Sequence, residues 1–201
     1  MNSALERVTP DITTMIRMDH THVMAAFHRY KTDLSQTRKQ ALVRHACLAL
    51  EVHAQLEEEI FYPALRQVMS GDEVLEKSEP EHNEMKERIA QLRSQSPDAA
   101  SYDENFFALM RTVIHHVADE ETRLLPAAER LLGDRLGQLG FEMTKRRLQL
   151  LKPRTAEIAS TAVRAFPVGA AAFAAGALAI GAMMFSSSRS RGQRARASWR
   201  P

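Results

Sequence analysis

A histidine followed four residues later by two adjacent glutamates, with a proline five positions beyond, occurs twice in this 201-residue chain. His53, Glu57, Glu58 and Pro63 form the first copy, and His116, Glu120, Glu121 and Pro126 form the second, 63 residues on. Asp19-His20 and Glu81-His82 make another matched pair, 62 residues apart. On a helix, residues four apart share a face. His53 can therefore aim where Glu57 aims, and His116 where Glu120 aims. Four neutral imidazoles and two carboxylates directed at one place suit a pair of first-row metal ions. Each glutamate could bridge the two ions, leaving open positions for oxygen, peroxide or water. The twofold character of the repeat suggests a site on a pseudo-twofold axis.

The elements that must carry these side chains are helices. Four segments hold apolar residues at helical spacing: Ile12, Met15, Ile16, Val23, Phe27 and Leu34; Leu42, Ala46, Ala49, Leu56, Ile60 and Ala64; Val74, Leu75, Met85, Ile89 and Leu92; and Phe106, Leu109, Val113, Val117, Leu124, Ala127 and Leu131. One candidate ligand histidine interrupts each stripe: His20, His53, His82 and His116. Burying these imidazoles with Glu57 and Glu120 would cost roughly several kcal/mol per unpaired ion, a cost that coordination removes. His28, two turns after His20, and Glu58 are further candidate ligands. His115 is turned about 100° from His116 and is expected to face solvent or a helix seam. Thr9 or Asp11 can cap the first helix. Ser78 to Glu81 has capping-box spacing, which predicts a short turn ahead of the main third helix. Pro63 and Pro126 are expected to disturb their helices just beyond the site.

The rest of the chain narrows the function classes. Cys47 is the single cysteine, so an internal disulfide and cysteine-rich zinc or iron–sulfur sites are excluded. No secretory signal is recognised, and the expectation is a reducing cytoplasm. The net charge is +2, yet the last 16 residues carry five arginines and no acid, so the remainder stands at −3. That leaves no nucleic-acid footprint on the folded part. Residues 1–133 read as the bundle domain, 134–164 as a basic helical linker, 165–185 as a candidate transmembrane helix and 186–201 as an arginine-rich tail. The 21 charge-free residues of 165–185 are long enough for a bilayer core of ~30 Å at ~1.5 Å per residue. Their glycines also suit close helix pairing and a homo-oligomer. This places the bundle in the cytoplasm at the inner membrane; a soluble cytoplasmic protein is the alternative.

His20, His53 with Glu57, His82, and His116 with Glu120 resemble the ligand pattern of the hemerythrin-like, HHE cation-binding domain family, over about residues 10–132. The resemblance implies an all-α, antiparallel up-down-up-down four-helix bundle. It also implies an oxo- or hydroxo-bridged pair of iron ions, with Glu57 and Glu120 as bridging carboxylates; manganese or zinc would be the other metals. The sequence departs from the oxygen-carrying members. They place a second histidine four residues after the third-helix histidine, where this chain has Lys86, and they use H-x4-D in the last helix. The expected function is sensing or binding of O2, NO, reactive oxygen or iron supply at a membrane. A redox enzyme removing peroxide or nitric oxide, and an iron storage or delivery protein, are the alternatives.

Overall fold

Structure is described for residues 9–165 of the computed structural model, without the side chains of residues 162 and 163. Beyond Ala165, the charge-free run and the arginine-rich tail lie outside the described residues. Among the described residues every regular element is helical. Helix α1 spans Ile12–Arg29 and starts at Asp11, whose carboxylate accepts from the Thr14 amide at 2.9 Å, the usual N-cap bond. Helix α2 spans Gln36–Leu56 and runs through a π-helical turn, Glu57–Phe61, into α3, Tyr62–Arg66. Helix α4 spans Glu73–Ser94. Helix α5 spans Tyr102–Asp119 and runs through a second π turn, Glu120–Leu124, into α6, Leu125–Leu132. Gly133, at φ +45°, ends that rod, a conformation glycine tolerates at a helix C-terminus. Helix α7 (Arg135–Leu151), a 3-10 turn (Lys152–Arg154) and α8 (Thr155–Ala165) follow.

Side-chain pairs fix how the rods lie. Along α1 and α2, Asp19 sits by His53 and His22 by His45. Across α2–α3 and α4, Arg66 meets Glu79, Glu58 meets His82 and Glu51 meets Arg93. Between α4 and α5, Glu81 reaches His116 and Glu84 reaches Thr112. Closing the circle, Arg17 of α1 meets Glu129 of α6, and His20 meets Glu121. In every pair one number rises as the other falls, so neighbouring rods are antiparallel. Short connections between successive helices require that arrangement.

Two apolar clusters hold the rods together. One contains Val23, Phe27, Leu42, Leu50, Met85, Ile89, Phe106, Leu109 and Val113. The other contains Ile12, Ile16, Leu56, Phe61, Leu65, Leu75, Leu124 and Leu125. On each rod the conspicuous histidine falls between the stretches that feed the two clusters, so a polar layer is sandwiched between dry ones. The third long helix does not begin at Ser78. Asp72 accepts from the amides of Val74 and Leu75, and Pro80 is carried inside α4. The Asp72 cap and the buried Val74 and Leu75 outweigh the ~3 kcal/mol that an internal proline costs.

Residues 134–164 are helical and lie against the bundle. Leu139 and Met143 of α7 join the second apolar cluster. A Cβ at Gly140 would stand 2.3 Å from the Pro10 carbonyl oxygen, so α7 can approach the start of α1 this closely because residue 140 is glycine. Helix α8 packs along α2. Arg93 bridges Glu51 and Glu157, and Arg154 also meets Glu51. Among the described residues no helix is long and apolar enough to cross a membrane.

Candidate metal centre

The two proline-bearing rods explain how their glutamates are aimed. In a continuous α-helix the Pro63 ring would strike the carbonyl of residue 59, and its missing N–H would orphan that oxygen. Instead the Tyr62 amide bonds to the Glu57 carbonyl, five residues back. Likewise the Leu125 amide bonds to the Glu120 carbonyl ahead of Pro126. Each wide turn takes up one extra residue. The disturbance expected beyond the site thus begins at Glu57 and Glu120 themselves.

Six side chains converge in the polar layer. His20, His53, Glu57 and Glu120 form one group, and Glu57, His82 and His116 form another; within each, the donor atoms lie within 4.8 Å of one another. Glu57 belongs to both. All six residues are buried, with Glu57, His82 and Glu120 at 0% exposure. His53 Nε2 is 3.1 Å from Glu57 Oε2 and His20 Nε2 is 3.1 Å from Glu120 Oε2. His82 Nε2 and His116 Nε2 face each other at 3.0 Å.

Each imidazole is backed by a carboxylate on a neighbouring rod, and for three of the four the backing is a hydrogen bond. Nδ1 of His20 donates to Glu121 at 2.8 Å, Nδ1 of His82 to Glu58 at 2.9 Å, and Nδ1 of His116 to Glu81 at 2.9 Å. Asp19 faces Nδ1 of His53 at 3.5 Å. A carboxylate only accepts, so each hydrogen-bonded support places a proton on Nδ1 and leaves Nε2 toward the centre. The supports close a circle. Asp19 of α1 faces the histidine of α2, Glu58 after α2 serves α4, Glu81 of α4 serves α5, and Glu121 after α5 serves α1.

The charged groups in this layer act on one another at close range. Burial and the nearby charge of Glu120 hold Glu57 well above the usual carboxylate range. Glu120 goes the other way: burial would raise it, but the charge of His116 and the hydrogen bond from His20 outweigh that and lower it. Burial opposes protonation of His20, yet Glu120, Glu57 and Glu121 overcome it and raise the group to about 9. His53 is pulled down to about 4, chiefly by burial. Metal ions bound here would displace protons from these groups.

The residues present fit a metal pair. Neither ring nitrogen of His53 makes a hydrogen bond of acceptable geometry, nor does Oε1 of Glu57, although all three atoms are buried. Such orphaned groups are costly, and all three belong to metal-ligating side chains. The site residues read from the sequence are thus brought together: His20, His53, Glu57, His82, His116 and Glu120. Glu58 stands outside both groups and acts through His82, while Lys86 holds it at 2.6 and 2.8 Å. His28 and His115 are exposed.

Tyr62 is the site residue that spacing missed. Its hydroxyl donates to Glu120 Oε1 at 2.9 Å and lies 3.3 Å from Glu57 Oε2 and 3.2 Å from His82 Nε2. Its counterpart in the other copy of the repeat is Leu125, so the pseudo-symmetry gave no signal. Adherence of a tyrosine to the proline of one copy was the only hint. On the opposite side, the apolar side chains of Val23, Leu50, Met85, Val113 and Val117 pack against His20, His53 and His116 and leave no room for a water molecule.

Comparison with known proteins agrees with this geometry. The family model for the hemerythrin HHE cation binding domain matches residues 11–128. A curated Nostoc protein named a DNA nickase is 30% identical over 117 residues, covering 58% of this chain; the chain spans 33% of that protein's length. A crystal structure of a hemerythrin HHE cation binding domain-containing protein from Mycobacterium kansasii superposes with a TM-score of 0.62 at 16% identity. That superposition covers 74% of this chain and 92% of that one, a likeness of fold.

Proposed function

The chain belongs to the hemerythrin HHE cation-binding domain family, and on that premise we propose that it is a non-haem di-iron protein that binds or senses a small ligand such as O2, NO or peroxide. The observation that carries this reading is the shared Glu57 between two buried His/Glu groups. His20 and His53 would hold one ion and His82 and His116 the other, with Glu57 and Glu120 between them. Two iron ions, when bound, supply open positions that bind and activate small oxidants. The chain's own contribution is positional. Carboxylates hydrogen-bonded from behind hold the imidazoles of His20, His82 and His116, and Asp19 faces that of His53. Tyr62 offers a hydrogen bond at the centre, and the side chains packed beside His20, His53 and His116 are apolar, a lining that suits a small uncharged ligand better than a polar substrate.

A second reading is turnover of peroxide or nitric oxide. The Tyr62 hydroxyl favours it, since it is a hydrogen-bond donor buried against both carboxylates. The charge-free run at residues 165–185 supports placing the response at a bilayer, which co-flotation of the full chain with lipid vesicles would test.

The deciding experiment is metal analysis of the full chain after anaerobic loading with ferrous iron, with optical spectra before and after NO or air. Two irons per chain and a ligand-dependent spectrum are expected, both lost in His53→Ala combined with His116→Ala. Absence of stoichiometric metal would refute the proposal. Rapid, sustained peroxide or NO consumption by the loaded protein would select the enzymatic reading over the sensor.

A further inference from the structure

We propose that Arg147, on a helix beyond the family-matched segment, is a positioning residue for the His53 side of the metal centre; the inference rests on the ligand assignment above. Arg147 of α7 grips Asp19 with both ends of its guanidinium, Nη1 to Oδ1 and Nη2 to Oδ2, each at 2.6 Å. Such a fork fixes the plane of a carboxylate as well as its place, which a lysine cannot do. The gripped Oδ2 is the oxygen that faces His53 Nδ1 at 3.5 Å. Both partners are largely enclosed, with side-chain exposures of 25% for Arg147 and 17% for Asp19.

The other supports differ in origin. Glu58 takes its cation from Lys86 of α4 and Glu121 takes its from Arg17 of α1, both inside residues 11–128. Asp19 alone among the four is held from the helical extension. Asp19 also stands farthest from its histidine, at 3.5 Å against 2.8–2.9 Å for the others. The orientation of the His53 imidazole therefore depends on α7 being docked, and α7 docks through a close backbone approach at Gly140. The extension makes the two halves of a pseudo-symmetric centre unequal. His53 answers to a residue outside the bundle, and His82 and His116 do not.

The test uses the full chain with cobalt(II) as probe, in wild type, Arg147→Ala, Arg147→Lys and Arg146→Ala. Arg146 is the neighbouring control, pairing with Glu59 at the surface. Release of cobalt to excess chelator is followed by its visible absorption, and imidazole 15N shifts are read in the metal-free chain. Loss of a directly supporting group typically costs ~10–100-fold in metal affinity. One layer further out, Arg147→Ala should release one of the two ions roughly three- to tenfold faster, with Arg147→Lys between it and wild type. The His53 shifts should move in Arg147→Ala and stay in place in Arg146→Ala. Arg147→Ala matching Arg146→Ala in both readouts overturns the proposal. If wild type itself holds no cobalt, the ligand assignment has failed, and the 15N shifts alone decide whether Arg147 positions His53.

Discussion

Replacing Tyr62 by phenylalanine isolates one hydrogen bond at the centre. The ring is fully buried, and phenylalanine keeps its volume, so no cavity opens. What disappears is the donor to Glu120 Oε1 at 2.9 Å, beside Glu57 Oε2 at 3.3 Å. A hydrogen bond to a charged group contributes about 1.5–3 kcal/mol, and a buried acceptor left short of its donor places the loss in the upper part of that range. One kcal/mol moves the melting temperature of a chain this size by about 2–4 °C. The metal-free variant should therefore melt about 4–12 °C below wild type. Bound cations take over compensation of the carboxylates, so in the metal-loaded protein the difference should shrink to less than about half. Calorimetric melts of both proteins, stripped and loaded, give the four values required. A metal-free Tyr62→Phe protein melting within about 1 °C of wild type would refute the claim that this hydroxyl stabilises the carboxylate pair, and an equal loss with and without metal would show that the pair and the metal are not linked.

Glu57 lies in both donor groups, so Glu57→Gln should lower occupancy at both metal positions, whereas His82→Ala should spare one; metal-to-chain ratios decide, and two retained ions in Glu57→Gln would contradict the sharing. His45 is pushed down to about 4 by burial and by His22, against 6.5 ordinarily, so between those values the unfolded chain binds the extra proton. Its contribution is complete above pH 6.5 and disappears as pH falls to about 4, an acid loss of about 3 kcal/mol. Urea denaturation at pH 4.5 and 7 should show that His45→Gln removes most of this difference. Gly140→Ala should destabilise by about 1–3 kcal/mol through overpacking against Pro10. Gly137→Ala, with nothing within 4 Å of its new methyl, should be neutral or stabilising by up to about 1 kcal/mol; equal effects would disprove the close approach of α7.

Much of this arrangement was legible because it obeys a period. The apolar stripes located four long helical rods, and histidines in phase with those stripes located the centre. The parts that escaped break the period or act against a local rule. Tyr62 has no partner in the repeat. Ser78 carries a capping-box pattern, but Asp72 makes two amide bonds and α4 starts there. The π turns follow from how each proline is accommodated, which residue spacing does not specify. Asp19 and Glu81 were visible as a matched pair, yet their task as supports depends on which helix lies beside which. Arg147 sits outside every repeat and acquires its contact only when α7 folds back. Residues 134–164 read as a linker because their charge is high, and the packing of Leu139 and Met143 depends on a single glycine at the crossing.

The circle of supporting carboxylates is a reciprocal exchange between two helical hairpins. Each helical hairpin holds one histidine–carboxylate pair within itself: Asp19 with His53 in the first and Glu81 with His116 in the second. Each also lends one carboxylate to the other hairpin and borrows one back, Glu58 to His82 and Glu121 to His20. A unit that offers and receives the same contact is complementary to a copy of itself, the defining property of a twofold interface. Two identical hairpins could close the same circle.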